Sequence, residues 1–219
     1  VLEDENIGEY SVELLSNKSH FEVVERVEAF LAGCGRSDSI ILYFSGHGIK
    51  DQYGQLYFAM TNTDPDRLIS SAISAKIIND LMQRCSSKRQ VLLLDTCYSG
   101  AFSKGMIVRS GEAISVGSFF DQGSGYAIMT ASDSMQYAFE GDNISGNSKG
   151  SVFTSTLVEG LRTGKADTDL DGVISFDDLF HYVQSRVADK MSEQQPRKWV
   201  FNVEGKLIIA KNPNPIAKQ

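Results

Sequence analysis

Residues 39–48 (SIILYFSGHG) and residues 90–100 (QVLLLDTCYSG) are the two stretches that decide the fold of this chain. Each opens with a run of apolar residues that is typical of a buried strand, and each ends in small residues around one reactive side chain. The reactive groups are the imidazole of His47 and the thiol of Cys97. A cysteine beside a histidine is the pair that nucleophilic catalysis by a thiolate requires.

The composition predicts one soluble globular domain. The chain has 219 residues, of which 42% are hydrophobic and 22% are charged, as in ordinary globular proteins. A net charge of −7 without a cluster of Lys and Arg argues against nucleic-acid binding. No apolar run approaches the roughly 20 residues of a membrane span. Three cysteines (Cys34, Cys85, Cys97) are too few for a disulfide scaffold, which predicts a cytoplasmic location.

Strands and helices alternate along the predicted secondary structure. Strands are predicted at residues 10–15, 39–44, 55–59, 90–94, 126–130 and 207–209. Helices are predicted after a capping box at Ser19 and Glu22, from Ser74 to about Cys85, from about Ser151 to Arg162, and around residues 179–187. This order predicts an α/β sandwich with a mostly parallel central sheet flanked by helices.

The two motifs follow predicted strands, where sites form in parallel sheets. If these strands are neighbours, their tips bring His47 close to Cys97, with His47 as general base and Cys97 as nucleophile. The backbone amides of Gly48 and Cys97 would then form an oxyanion hole. Each residue taken alone has an alternative structural role, because a lone cysteine is most often a packed small side chain and a lone histidine is most often structural.

Residues 45–48 (SGHG) and 95–100 (DTCYSG) resemble the motifs of the caspase–metacaspase family of cysteine peptidases, and most of all its bacterial branch. The resemblance covers about residues 10 to 209. It implies peptide-bond hydrolysis of protein substrates by a Cys–His dyad that requires no cofactor. The corresponding positions are His47 as base, Cys97 as nucleophile and Gly48 as oxyanion donor.

The sequence departs from the family pattern in two places. Tyr98 stands where metacaspases usually have His. The family's first strand and helix are expected before residues 10–15, so we expect an N-terminally truncated caspase-like domain over residues 1–211, which should be unstable unless another chain supplies that strand. Residues 212–219 are expected to form a tail or linker, and fused or associated sensor domains are expected partners.

A carboxylate precedes the proposed nucleophile. Asp95 lies two residues before Cys97, so the two share a face of the strand. A buried carboxylate requires a partner. The resemblance to metacaspases favours a pocket that binds Lys or Arg before the scissile bond, with Asp133 as a second carboxylate. The alternative is a hydrogen-bonded structural aspartate.

The glycine- and serine-rich residues 99–125 contain two basic side chains, Lys104 and Arg109. If the pocket accepts basic residues, these are candidate self-cleavage sites, because family members often cleave themselves in this loop. The alternative is that both are solvated surface charges.

Residues 167–178 (DTDLDGVISFDD) match an EF-hand loop. The predicted Ca²⁺ ligands are Asp167, Asp169, Asp171, the carbonyl of Val173, and Asp178. The last position carries Asp where Glu would reach further, which predicts weak Ca²⁺ binding with a structural or modulatory role. The alternative is an acidic turn between helices that binds no ion.

Three functions are compatible with these patterns. The first is a calcium-modulated endopeptidase that cleaves after Lys or Arg. The second is a catalytically silent caspase-like interaction module. The third is a calcium-responsive binding module. The intact His47–Cys97 pair favours the first.

Overall fold

A computed structural model describes residues 1–98, 116–120, 125–131, 151–190 and 195–215. The strands are β1 (Ile40–Lys50), β2 (Leu56–Phe58), β3 (Ile73–Ser74), β4 (Gln90–Tyr98), β5 (Tyr126–Thr130), β6 (Val173–Ser175), β7 (Arg197–Phe201) and β8 (Ile208–Lys211). The helices are α1 (His20–Gly33), α2 (Leu68–Ser71), α3 (Ala75–Arg84), α4 (Val152–Thr163) and α5 (Phe176–Lys190). Within these ranges, no helix combines the length and the apolar character of a bilayer span.

The main sheet has six strands in the order β3-β2-β1-β4-β5-β7. Its centre is parallel, because β4 pairs in parallel with both β1 and β5. The outer strands β2 and β7 run antiparallel to β1 and β5. Strands β6 and β8 form a separate antiparallel pair. The predicted fold class, a helix-flanked and mostly parallel sheet, is confirmed.

Helices cover both faces of the sheet. The alternation of β4 divides the core: Val91 and Leu93 pack in one cluster with α4 and α5, whereas Leu92 and Leu94 pack in the other with α1 and α3. Because the central strand is buried on both faces, it reads in the sequence as an unbroken apolar run.

Serine caps begin the helices where the sequence predicts them. Ser19 and Glu22 form a complete capping box at α1, and Ser74 and Ser151 cap α3 and α4. The amide of Ser19 is the main cause that lowers the pKa of the exposed Glu22 to about 2, with help from the Ser19 hydroxyl and Lys18. These local signals place the helices that cover the sheet.

Two predicted strands differ from the structure. Residues 10–15 are not a strand, and Leu14 is 84% exposed, because this stretch lies outside all three core clusters. The last predicted strand forms as β8 but joins β6 in the small sheet. Strand β7 was not predicted, since its charged first residues, Arg197 and Lys198, hide the short apolar run of an edge strand.

One edge of β1 lacks a strand along most of its length. Residues 40–48 pair with β4 on one side, whereas β2 pairs only with residues 48–50 on the other. Among the described residues, no strand pairs with residues 40–46 on that second side. The amides that point outward there are available to an added strand.

Asn212 anchors the chain after β8 to the domain. Its side chain is buried and donates to Asp167 Oδ2 at 2.9 Å, and its amide donates to the carbonyl of Gly172 at 2.9 Å. Gly164, the left-handed C-cap of α4 with φ of 72°, leaves room for it. A Cβ atom on Gly164 would lie 1.9 Å from Asn212 Oδ1.

Substitution Gly164→Ala is therefore expected to destabilise the domain. A left-handed backbone at an alanine costs at least about 1 kcal/mol before the clash with Asn212 is added, and this lowers the melting temperature of a chain of this size by at least about 2 °C. The matched control is Gly33→Ala, because a Cβ atom there contacts nothing within 4 Å. Thermal unfolding by circular dichroism measures both, and equal melting temperatures would contradict the role assigned to Gly164.

Candidate active site

The register of β1 and β4 places the two motifs side by side. His47 is the direct partner of Cys97, and Ser45 is the direct partner of Asp95. The backbone of Cys97 belongs to β4, while its side chain lies outside the described part of the structure. The two residues that the sequence paired through chemistry are thus neighbours at the carboxyl ends of adjacent parallel strands.

β2 fixes the histidine end of β1. The amide of Ala59 donates to the carbonyl of His47 at 2.9 Å, and Gly48 pairs with Phe58 of β2 and with Tyr98 of β4. The His47 side chain is exposed, and Gly48 is buried. The imidazole therefore stands at the surface on a backbone that is held from both sides.

Asp95 is buried, with 4% of its surface exposed, and it accepts hydrogen bonds from two hydroxyl groups. The hydroxyl of Thr154, in the first turn of α4, donates to Asp95 Oδ2. The hydroxyl of Tyr43 lies 3.5 Å from the same oxygen and 2.6 Å from Thr154 Oγ1. Among the described residues, no hydrogen bond reaches Asp95 Oδ1.

Sequence reasoning missed Tyr43 and Thr154. Tyr43 carries a signal, because it lies four residues before His47 and alternation puts both on one face of β1. Thr154 carries none, because its contact depends on where α4 packs against the sheet. Three other predicted site residues, Lys104, Arg109 and Asp133, lie outside the described residues.

Three carboxylates of the acidic loop 167–178 converge on one point. Oxygens of Asp167, Asp169 and Asp171 lie within 4.8 Å of one another, an arrangement that suits a hard cation. The ammonium group of Lys206 lies 2.9 Å from Asp169 Oδ2 and 2.5 Å from Asp171 Oδ2. With a lysine at this position, the residues present do not fit a resident divalent ion.

The contact between Asp171 and Lys206 shifts the pKa values of both groups. Hydrogen bonding to Lys206 is the main cause that lowers the pKa of Asp171. The hydrogen bond that Lys206 donates to Asp171 is in turn the main cause that raises the pKa of Lys206 above its usual range. Both shifts favour the charged forms, so Asp171 and Lys206 stay charged at neutral pH.

Asp178, at the last loop position, is held by the protein. Burial alone would raise its pKa, but hydrogen bonds from Ser175 and Thr168 lower it overall. Thr168 Oγ1 donates to Asp178 Oδ1 at 2.5 Å, and the amide and hydroxyl of Ser175 donate to Oδ2 at 3.1 and 2.5 Å. The Val173 amide donates to Asp171 Oδ1 at 3.0 Å.

Comparison with known proteins identifies a family and similar folds. The family model described as "Caspase domain" matches residues 5–207. The fold is similar to caspase-1 from Spodoptera frugiperda, with a TM-score of 0.57 and 13% identity over 93% of this chain and 75% of that one. It is also similar to a structural-genomics protein of Geobacter sulfurreducens, with a TM-score of 0.55 and 10% identity over 89% of this chain and 78% of that one.

No curated protein matches the chain. The family match nevertheless spans nearly all of the sequence and includes both motifs, and caspase-domain proteins are cysteine peptidases that act on protein substrates. With its three-layer fold and its paired histidine and cysteine strands, the chain belongs to the caspase-domain family.

Proposed function

We propose that this protein is a cysteine endopeptidase that cleaves peptide bonds through Cys97 and His47 and prefers Lys or Arg before the scissile bond. One observation carries the proposal: the register pairs His47 directly with Cys97 at the carboxyl ends of two parallel strands. Neighbouring positions on adjacent strands are close enough for proton transfer between side chains.

The chemistry follows from the two groups. His47 accepts the proton of the Cys97 thiol, and the thiolate attacks the carbonyl carbon of the substrate. The C–N bond then breaks, and the imidazolium returns its proton to the leaving amine, which leaves a thioester on Cys97. A water molecule, deprotonated by His47, hydrolyses the thioester and restores the free thiol.

The negative charge that develops on the carbonyl oxygen of the substrate during the attack requires backbone N–H groups that stabilise it by hydrogen bonding. We assign this role to the amides of Gly48 and Cys97. Because strand pairing extends through Gly48 and Tyr98, these amides belong to the ladder between β1 and β4. We therefore expect substrate binding to part the two strands at this end.

Asp95 supports the preference for basic residues. Its carboxylate is buried two residues before Cys97, and within the described ranges Thr154 and Tyr43 contact only its Oδ2 atom. A substrate Lys or Arg would supply the opposite charge that a buried carboxylate needs. Asp133 is proposed as a second carboxylate of the same pocket.

Self-processing and partner domains complete the proposal. Lys104 and Arg109 are the proposed self-cleavage sites, because they follow the nucleophile in a stretch rich in Gly and Ser and carry the side chains that the Asp95 pocket would accept. Cleavage there would leave the β1–β4 pairing unbroken. Sensor domains fused to or associated with the chain would control the activity.

Removal of either dyad residue is expected to abolish hydrolysis of fluorogenic Arg and Lys peptides. Cys97→Ala and His47→Ala should each lower kcat by about 10³-fold or more, and the double variant should lose little beyond either single one, since the two groups act as a unit. Cys34→Ala and His20→Ala are the matched controls and should retain activity. Hydrolysis that survives Cys97→Ala would refute the dyad, and a wild-type protein without turnover would favour the silent interaction module.

Neutralising the pocket carboxylate is expected to remove the preference for basic residues. Asp95→Asn should lower kcat/KM for Arg peptides by about 30-fold or more, the cost of losing one partner of a buried charge pair. Asp80→Asn is the control, because Asp80 forms an exposed ion pair with Lys76 on α3. An unchanged ratio of kcat/KM between Arg and uncharged peptides in Asp95→Asn would show that another group reads the substrate.

Self-cleavage is expected to depend on the dyad. Purified wild-type protein should yield fragments that end at Lys104 or Arg109, identified by intact mass, while Cys97→Ala should remain whole. The double variant Lys104→Gln with Arg109→Gln should resist this cleavage and still hydrolyse peptides. Fragments of the same mass from Cys97→Ala would assign the cleavage to another protease.

A further inference from the structure

The acidic loop formed by residues 167–178 contacts the ammonium group of Lys206, a cation that belongs to the same chain. Lys206 Nζ lies 2.9 Å from Asp169 Oδ2, 2.5 Å from Asp171 Oδ2 and 3.7 Å from Asp178 Oδ2. Three of the carboxylates that an EF-hand would turn toward Ca²⁺ thus face one ammonium group.

The fourth carboxylate is also occupied by protein donors. Asp167 Oδ1 accepts from the amide of Asp171 at 3.1 Å, and Asp167 Oδ2 accepts from the amide of Gly172 at 3.0 Å and from Asn212 Nδ2 at 2.9 Å. Its charge is therefore offset by neutral donors alone. The acidic loop is thus held by contacts made inside the chain.

The backbone around Lys206 is fixed to the same loop. The carbonyl of the next residue, Leu207, accepts from the amide of Phe176 at 2.8 Å, and β8 pairs with β6 inside the loop. Gly205, with φ of 76°, provides the turn that leads into Lys206. Because the lysine is anchored beside the carboxylates, it loses little additional freedom when its ammonium binds them.

We propose that Lys206 is the resident cation of this loop. Its ammonium group takes the place of Ca²⁺ and connects the turn between α4 and α5 to the strand β8. A divalent ion must displace the ammonium before it reaches Asp169 and Asp171. The loop is then a structural element that forms without metal, and wild-type protein binds Ca²⁺ weakly. This inference does not depend on peptidase activity.

The decisive variant is Lys206→Met, which keeps most of the side-chain stem and removes the charge. Without Ca²⁺, the melting temperature should fall by about 2–4 °C, because the carboxylates lose their counter-charge. Isothermal titration with CaCl₂ should show affinity about three- to fivefold higher than that of the wild type, the change expected for the loss of one exposed competing ion pair. Ca²⁺ should restore the melting temperature of Lys206→Met and leave that of the wild type unchanged.

Lys211→Met is the matched control. Lys211 is the last residue of β8 and forms an exposed ion pair with Glu9 at 2.7 Å. This variant should bind Ca²⁺ as weakly as the wild type. Equal Ca²⁺ affinities of wild type and Lys206→Met would overturn the proposal, as would a wild-type melting temperature that rises with Ca²⁺.

A measurement on the wild type covers the case in which Lys206→Met does not fold. In ¹⁵N spectra of lysine ammonium groups, Lys206 should exchange its protons with water more slowly than Lys211, because its donors contact two carboxylates. Exchange as fast as that of Lys211 would show that the ammonium does not reside in the loop.

Discussion

The parallel pairing of β1 with β4 is the constraint on which the rest of the structure depends. Its register joins His47 to Cys97 and Ser45 to Asp95, so one set of backbone hydrogen bonds aligns the three predicted site residues of these strands. A shift of one residue would move alternate side chains to the other face of the sheet and separate these groups. The buried faces of β4, which pack against α1 and α3 on one side and α4 and α5 on the other, keep that register in place.

The two acidic features of the chain are stabilised in different ways. The buried Asp95 is held through its Oδ2 atom by two hydroxyl groups, from Thr154 and Tyr43. The loop carboxylates Asp169 and Asp171 are instead neutralised by Lys206. Neutral donors thus hold the buried carboxylate of Asp95, whereas a charged group of the same chain pairs with the exposed carboxylates of the loop.

Much of the fold could be predicted because its signals are local. Local residues determine the capping serine of α1 and the apolar run of β4. The hairpin between β1 and β2 joins two strands that follow each other in the chain. The failures have the opposite cause. Residues 10–15 alternate as a strand does, but they pair with no strand among the described residues. Strand β7 has only a short apolar run, and it forms because it pairs with the edge of β5.

The sequence alone determined the fold class, and it predicted His47, Cys97 and Asp95 as site residues and an acidic loop at residues 167–178, because spacing and residue type fix these patterns within a few positions. Only the tertiary structure decided that His47 and Cys97 share a register, that Thr154 contacts Asp95, and that Lys206 enters the loop. These contacts join segments far apart in the chain. Their geometry follows from how helices pack on the sheet and how strands choose neighbours, and no local pattern encodes that choice.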